Sequence, residues 1–563
     1  MSYRLLLVAA FVCLIQINAR AQNANPELFT YSELVQLYEE PVPAERLQKK
    51  LTAMLTTPFI SNKAGVRPLK PRTAQLGQFL RVAFWNIERG LRYEAIESAL
   101  RGSRTFSALL TRMKETPKNS DRAAALREAA LLSQADVIVL NEVDWGLKRT
   151  DYRNVVADLA AALKMNYAYG VEFVEVDPIA LGLEKFEDVD PKLRPELVTE
   201  TRVDQARYKG LHGTAILSRY RLENVRLIPF KYQPHDWYTD EKEGTAPVEE
   251  GKREIAEKVF LEKIYRQVRR GGRNVLLADI VDRQIPGGRV TIVATHLEDR
   301  TKPDNREDQL KELLQEIKHI GNPMVLAGDM NTSGEDATPT SLKREVTKRL
   351  GSRTFWIKQG INYATGIGIA KDVLIGAVKY VRNQSDPTVR HVPIVAPNPA
   401  AGFFEELKDF RFNDGSAFDF RGERERSIGG STETLGNSNE RGDKGFVTTF
   451  EVERRIGSIG KMKLDWFFVK PPSLSDPDDK GQPHLFAPHF GRTLKTLNYS
   501  IEDRISDHSP LLVDLPFNEP RISKRHSTTE PLTVAAVTPH SPRQSHSTTA
   551  PLTVVSAHTT QLK

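Results

Sequence analysis

The stretch 323–333, PMVLAGDMNTS, constrains this chain more than any other. Met324 to Ala327 are uninterrupted apolar residues, and Gly328 ends the run. A run this short, bounded by Pro323 and Gly328, predicts a strand buried on both faces. Asp329 and Asn331 then stand two apart at its carboxyl end, where open α/β sheets place their ligands. A carboxylate can take a proton from water, and an amide can hydrogen-bond an anion without repelling it. Gly-Asp and Asn-Thr are also ordinary turn formers, so this stretch alone leaves a plain turn open.

Other buried runs end in the same way. Phe79 to Ile87 (FLRVAFWNI) alternates and ends at Asn86, Ile87, Glu88 and Arg89. Ala135 to Leu140 (ADVIVL) delivers Asn141 and Glu142. Arg289 to His296 pairs with Asn274 to Asp282 around Pro286-Gly287-Gly288 and ends at His296. Lys463 to Val469 (KLDWFFV) carries Asp465. Leu511 to Leu515 is entered through Asp507 and His508. Further strands are expected over 167–176 and 213–219, with 222–230 as the hairpin partner of the latter. Helices are expected over 31–38, 44–55, 91–134, 152–164 and 305–320.

Each polar exit has a plain explanation. Asn86 could cap a helix, Glu142 could pair with Lys148 or Arg149, His296 could be a satisfied core histidine, and Asp507 could cap a turn before Pro510. Strands of one sheet bring their ends together, however, and six such exits favour a shared site.

The arrangement resembles the endonuclease/exonuclease/phosphatase superfamily. The matching pieces, in the family's order, are FWNI at 84–87, LNEV at 140–143, GTAILSR at 213–219, THLE at 295–298, GDMN at 328–331, LDWFFV at 464–469 and SDHSPL at 506–511. The resemblance spans about residues 79–516. It implies an α/β (α+β) fold, a four-layer sandwich of two mixed β-sheets flanked by helices. It also implies a divalent-metal-dependent phosphoester hydrolase in which water attacks phosphorus. Glu142, Asn86 and Asp507 are the expected ligands of Mg2+, with Mn2+ or Ca2+ as alternatives. Asp329 is the expected base, and Asn331 and His296 hold the non-bridging oxygens. His508 stabilises the transition state, with Asp465 orienting it. Glu88 and Arg89 replace the small residue usual after the WN motif, so Glu88 is either a further ligand or the partner of Arg89 or Arg92. The Pro-Ala-Trp signature of inositol-phosphate 5-phosphatases is absent.

The expected substrate is a phosphodiester, most simply nucleic acid. A formal charge of +7 over 563 residues suits a polyanion without requiring one. Arg266, Arg269, Arg270 and Arg273, within KIYRQVRRGGR, offer a track for a phosphate backbone or a merely solvated basic face. A sphingomyelinase-like or other small phosphoester hydrolase is the alternative.

Residues 1–21 read as a signal peptide. Arg4 precedes the apolar core Leu5–Ile17, and Ala19-Arg20-Ala21 fits the cleavage rule, which predicts export and a mature start at Gln22. Cleavage removes Cys13, the single cysteine, and with it disulfides, thiolate metal sites and thiol nucleophiles. No later stretch is apolar enough to span a membrane. Residues 22–75 read as a helical accessory segment. The catalytic domain is expected over 76–518, with insertions at about 177–209, 231–255 and 334–460. Residues 519–563 form a Ser/Thr/Pro/His-rich tail in which HSTTEPLTV returns as HSTTAPLTV, a composition that cannot bury a core.

Overall fold

Alternation along Gly77–Arg89 explains why FLRVAFWNI looks continuously apolar. In the computed structural model, Leu80, Val82 and Phe84 point into a core between two sheets, and Ala83, Trp85 and Ile87 into a second core shared with helices. The structure describes residues 25–113, 119–178, 180–183, 203–242, 267–333, 380–381, 392–393, 400–442, 445–451, 461–502 and 504–521. The chain divides into two units after residue 522, and every described residue belongs to the first. The expected signal peptide, the tail beyond residue 521 and much of each expected insertion lie outside the described residues.

The strands used here are β1 (Phe59–Ser61), β2 (Arg72–Thr73), β3 (Gly77–Arg89), β4 (Val137–Trp145), β5 (Asn166–Glu175), β6 (Leu211–Ser218), β7 (Leu222–Pro229), β8 (Arg269–Gly271), β9 (Asn274–Val281), β10 (Arg289–His296), β11 (Met324–Asp329), β12 (Asp465–Lys470), β13 (His489–Thr493) and β14 (Leu511–Pro516). Nine form one sheet in the order β1-β5-β6-β4-β3-β14-β13, with β2 on β3 and β8 on β5. Five form the other, in the order β12-β11-β10-β9-β7. Both sheets are mixed, because β3–β4 and β10–β11 run parallel among antiparallel neighbours.

Helices α1 (Tyr31–Glu39), α2 (Glu45–Thr56), α3 (Tyr93–Arg101), α4 (Ser103–Arg112), α5 (Asn119–Leu132) and α6 (Val155–Leu163) share one apolar cluster with the outer side of the larger sheet. Helices α7 (Pro303–Ile317) and α8 (Ala401–Asp409) share another with the outer side of the smaller sheet. The order of layers is therefore helix, sheet, sheet, helix. In the N-terminal segment, Thr30 and Glu33 form a reciprocal capping box at α1, while Leu34, Leu37, Leu47 and Leu51 enter the same core as the large sheet. Among the described residues no helix is long and apolar enough to cross a membrane.

The expected hairpin of 213–219 with 222–230 does not form. β6 lies in the large sheet, whereas β7 crosses to the small one and pairs with β9. The corner is held by Arg219, whose N–H donates to the Asp136 carbonyl and whose Nε donates to the Ala135 carbonyl. Leu222 and Leu227 then enter the core between the sheets, and burial of that face outweighs local closure.

Arg81 is the charged exception inside β3. It lies directly across from Asp514 of β14, with Nε and Nη2 donating to the two carboxylate oxygens at 2.7 and 2.8 Å. Both side chains are 4% exposed. Asp514→Ala strands the guanidinium and is expected to cost about 3–5 kcal/mol, because breaking a buried pair leaves an uncompensated charge. Chemical denaturation checks this, and the apolar double variant Arg81→Met/Asp514→Leu should regain most of the loss.

Candidate active site

Strand register puts the polar exits side by side. His296 pairs with Asp329 across the parallel β10–β11 ladder, and Asp329 pairs with Asp465 across the antiparallel β11–β12 ladder. Gly328 permits this, since a Cβ there would overlap the Thr295 carbonyl of β10. On the facing sheet Asn86 pairs with Asn141. The two sheets are stitched at this end. Asn86 Nδ2 donates to Glu142 Oε1 and to Asp329 Oδ2, both at 3.2 Å, and the Asp329 N–H donates to Asn141 Oδ1 at 2.9 Å.

The segment before β14 closes the site. Trp85 Nε1 donates to the His508 carbonyl at 2.9 Å, and Ser506 Oγ donates to the Asn86 carbonyl at 2.8 Å. His508 Nδ1 lies 2.8 Å from Asp465 Oδ2, and its Nε2 lies 3.6 Å from Asp329 Oδ2. Burial opposes a charged ring, but the carboxylates of Asp465, Asp329 and Asp507 outweigh it and hold His508 well above the ordinary imidazole value. Burial pushes the Asp329 carboxyl up to about 7, against the pull of His508. Asn331 donates its N–H to Asp329 Oδ1 and its Nδ2 to the Leu297 carbonyl, both at 2.9 Å.

His296 is a different kind of histidine. Its Nδ1 accepts from Arg273 Nη1 at 2.8 Å, which leaves the ring proton on Nε2, 3.7 Å from Asp329 Oδ2. Burial and then the Arg273 guanidinium hold it well below the ordinary value, so the ring is neutral. Arg273 is fixed in turn by Glu172 at 2.9 Å, Glu298 at 3.4 Å and Asp299 at 2.9 Å.

Backbone strain gathers here. β3 and β4 both break register at the site, between Asn86 and Arg89 and between Leu140 and Val143. Glu88, Arg89, Glu142 and Asn331 all take positive φ, at 46°, 66°, 53° and 46°. Bulges and left-handed non-glycine residues persist where a side chain must be aimed. The bulges bring Glu88 and Glu142 within reach of each other's charge, with Glu88 against the Asp507 N–H and Glu142 against Asn86 Nδ2. Burial and the neighbouring Asp507 raise the Glu88 carboxyl to about 8, and Glu142 adds to this. Crowded carboxylate oxygens beside an amide are the donor set a hard divalent cation takes. Asp329, Asp465 and His508 also offer ligand atoms within 4.8 Å of one another. There the imidazole is already committed to its two carboxylates, so the oxygen-rich set is the better fit.

Several plain alternatives do not occur. Arg149 pairs with Asp144 and Glu175, not with Glu142. Glu88 accepts from the Asp507 N–H at 3.2 Å and lies 3.7 Å from Arg504; among the described residues its ion pair is with Arg504, and Arg89 reaches it through charge alone. The expected basic track is also absent from the surface. Arg269 is 5% exposed, pairs with Glu175 and stacks on Phe173 and Trp237. Arg270 donates to the carbonyls of Leu37, Glu40 and Pro41, and Arg273 serves His296. Those guanidiniums hold elements together and are not free for phosphates; Arg266 lies outside the described residues.

Residues 83–508 match the Endonuclease/Exonuclease/phosphatase family. The chain belongs to that family. Its members are hydrolytic enzymes acting on phosphoesters and typically use a divalent metal. Comparison with curated proteins returns no match. Among solved structures, the chain is similar to the endonuclease/exonuclease/phosphatase from Beutenbergia cavernae DSM 12333, at 18% identity over 78% of this chain and 71% of that one, with a TM-score of 0.33. It is also similar to the human Nocturnin catalytic domain, at 15% identity over 80% and 98%, with a TM-score of 0.32. The 3′ phosphatase NExo from Neisseria is 12% identical over 77% and 99%, with a TM-score of 0.33.

Within this family site, several supporting residues carried no signal strong enough to single them out. Asn141 joins the sheets from within LNEV, where it is overshadowed by Glu142. Thr449 Oγ1 accepts from the Asp465 N–H at 3.3 Å, and Phe450 packs on the His508 ring at 5.0 Å. Both come from the region 334–460, which has no readable periodicity. Arg273 is lost within a basic run that reads as surface.

Proposed function

We propose that this chain is an exported, divalent-metal-dependent phosphodiesterase that acts on nucleic acid. The observation that carries the reading is the convergence, between two sheets, of Asp329 with the His508–Asp465 pair, neutral His296 and the Asn86–Glu142 pair. Glu142, Asn86 and Asp507, with Glu88 beside them, would hold the cation, and Mg2+ is the expected one. When bound, it neutralises phosphate charge and steadies the leaving oxygen.

The chain's own groups do the rest. Asp329, with a carboxyl near neutrality, takes a proton from the attacking water. Neutral His296 donates Nε2–H, and Asn331 donates its remaining amide hydrogen, to non-bridging oxygens. The His508 imidazolium places positive charge where the transition state gains negative charge. The excess of basic residues supports approach by a polyanion, and the N-terminal 21 residues support export.

The test assays the purified mature protein on plasmid DNA, RNA, sphingomyelin and simple phosphate mono- and diesters, with Mg2+, Mn2+ or Ca2+ and with a chelator. Hydrolysis of nucleic acid and simple diesters that stops on chelation is expected. Chelator-resistant turnover, or turnover confined to monoesters or to sphingomyelin, would overturn the reading.

A further inference from the structure

We propose that the N-terminal helix α1 is a positioning element for the hydrolytic site: through Arg270, Tyr238 and Trp237 it holds Arg273 against His296 and so keeps the His296 ring proton on Nε2. This rests on the reading above, in which that proton is donated to a phosphate oxygen. The helix lies outside residues 83–508, which match the family, so the family domain by itself does not supply it.

α1 needs partners at its carboxyl end. It has no basic residue in its last turn, and Glu39 and Glu40 put two carboxylates there, which the helix dipole opposes. The last carbonyls of a helix also lack partners within it. Side chains from distant segments fill both needs. Arg270 on β8 donates Nε to the Leu37 carbonyl and Nη1 to that of Pro41, at 2.9 and 3.1 Å, and Nη2 to that of Glu40. Lys242 Nζ donates to the carbonyls of Tyr38 and Glu39, and Tyr238 Oη donates to the Tyr38 carbonyl at 2.8 Å. The Arg270 guanidinium lies on the Tyr238 ring, 3.2 Å from its centre, and Tyr238 is buried in the same apolar cluster as Leu34 and Leu37 of α1. The segment 236–242 is therefore seated on α1.

Trp237 carries that seat inward. It is 3% exposed, with the guanidiniums of Arg269 and Arg300 at 4.8 and 4.4 Å from its ring centre. Its carbonyl accepts from the Arg269 N–H at 3.0 Å, and its Nε1 donates to Glu298 Oε2 at 2.9 Å. Glu298 Oε2 accepts a second bond, from Arg273 Nε at 3.4 Å. Register completes the path. Val275 of β9 pairs with Thr295 of β10, which sets Arg273 beside His296, and Arg273 Nη1 donates to His296 Nδ1 at 2.8 Å.

His296 has a second state within reach. Glu172 Oε2 lies 3.7 Å from the same Nδ1. An arginine can only donate, so its bond forces the ring proton to Nε2. A carboxylate can only accept, so a bond to Glu172 would draw the proton to Nδ1 and leave a bare lone pair on Nε2. That lone pair would repel a phosphate oxygen. The choice turns on where Arg273 sits, and Glu298 ties its Nε to Trp237. Without the indole N–H, a buried carboxylate is left short of a donor and is drawn onto Arg273. A contiguous chain of packed, hydrogen-bonded side chains that ends on a group with two discrete arrangements is what carries coupling over distance.

The experiment uses the full mature chain with Mg2+, a chromogenic diester and 15N-histidine labelling, in which ring-nitrogen shifts report the tautomer. The spectrum of His296→Gln identifies the His296 signals. Wild type is expected to show Nε2–H. Trp237→Phe keeps a stacked ring and removes the N–H. It should convert part of His296 to the Nδ1–H form and lower kcat about tenfold, the scale of a lost hydrogen bond to a charged group, with KM and the Mg2+ requirement nearly unchanged. Lys242→Met loosens α1 from the outside. It should shift the tautomer in the same direction with a smaller loss of kcat, and Lys242→Arg should restore both. If Trp237→Phe does not fold, Lys242→Met carries the test. A merely structural role would lower stability and leave the tautomer of the folded protein alone. An Nδ1–H ring in wild type, or an unchanged tautomer in either folded variant, would overturn the proposal. If wild type cleaves no diester, the phosphodiesterase reading fails, and the tautomer signals still decide the positioning role separately.

Discussion

Replacing Asp329 by Asn is expected to lower kcat on a simple phosphodiester by roughly 10²–10⁴-fold, the range a positioned general base contributes. The substitution removes the proton acceptor and one of the two oxygens, the one that accepts from Asn86 Nδ2, while the amide oxygen can still accept from the Asn331 N–H. The main-chain bonds that seat the residue, from the Asp329 N–H to Asn141 and from the Leu297 N–H to the Asp329 carbonyl, do not involve the carboxylate. Fold and divalent-metal affinity should therefore stay close to wild type. His508→Ala should fall in the same range, because it deletes the positive charge that faces Asp329. Asp465→Asn should be milder, since the ring remains and only its orientation and charge are weakened. The two losses should not add, as the pair acts as one unit. Steady-state rates on a chromogenic diester, with calorimetric metal titration of each variant, decide the matter. An Asp329→Asn enzyme within tenfold of wild type would remove Asp329 from the role of base.

How much of this was legible in the sequence depends on how each residue is held. Strands covered on both faces announce themselves as apolar runs, so FLRVAFWNI, ADVIVL and MVLA locate the sheet centres and their polar exits. Short edge strands carry no such pattern: β1, β2, β8 and β13 run two to five residues and are defined by their neighbours. The separation of β6 from β7 was hidden because a hairpin and a sheet-to-sheet corner share the same local alternation. Charge misleads more than hydrophobicity. The run KIYRQVRRGGR reads as a surface track, but Arg269 and Arg273 are buried because distant carboxylates, Glu175, Glu172 and Glu298, meet them there. The left-handed φ of Glu88 and Glu142 has no sequence signature, since non-glycine residues reach it only under tertiary constraint.

Glu142→Gln is expected to raise the Mg2+ concentration for half-maximal activity by at least tenfold and to lower turnover at fixed Mg2+, with partial rescue as Mg2+ increases. The swap preserves shape in a bulge that holds φ at 53°, so the backbone has no reason to move. What changes is charge. Burial works against ionisation of Glu142, but Arg89, His212 and His508 outweigh it and keep the carboxyl below its ordinary value, poised as an anion. Three cationic or potentially cationic groups around one carboxylate also mean that its loss leaves them facing one another, which further disfavours a bound cation. Glu88→Gln separates ligand from neighbour. Its carboxyl is raised by burial and by Asp507, so neutralising it relieves repulsion and should change the Mg2+ requirement far less. Activity against Mg2+ concentration for both variants, beside direct metal titration, gives the answer. Metal affinity unchanged in Glu142→Gln and lost in Glu88→Gln would transfer the ligand role from the β4 bulge to the end of β3.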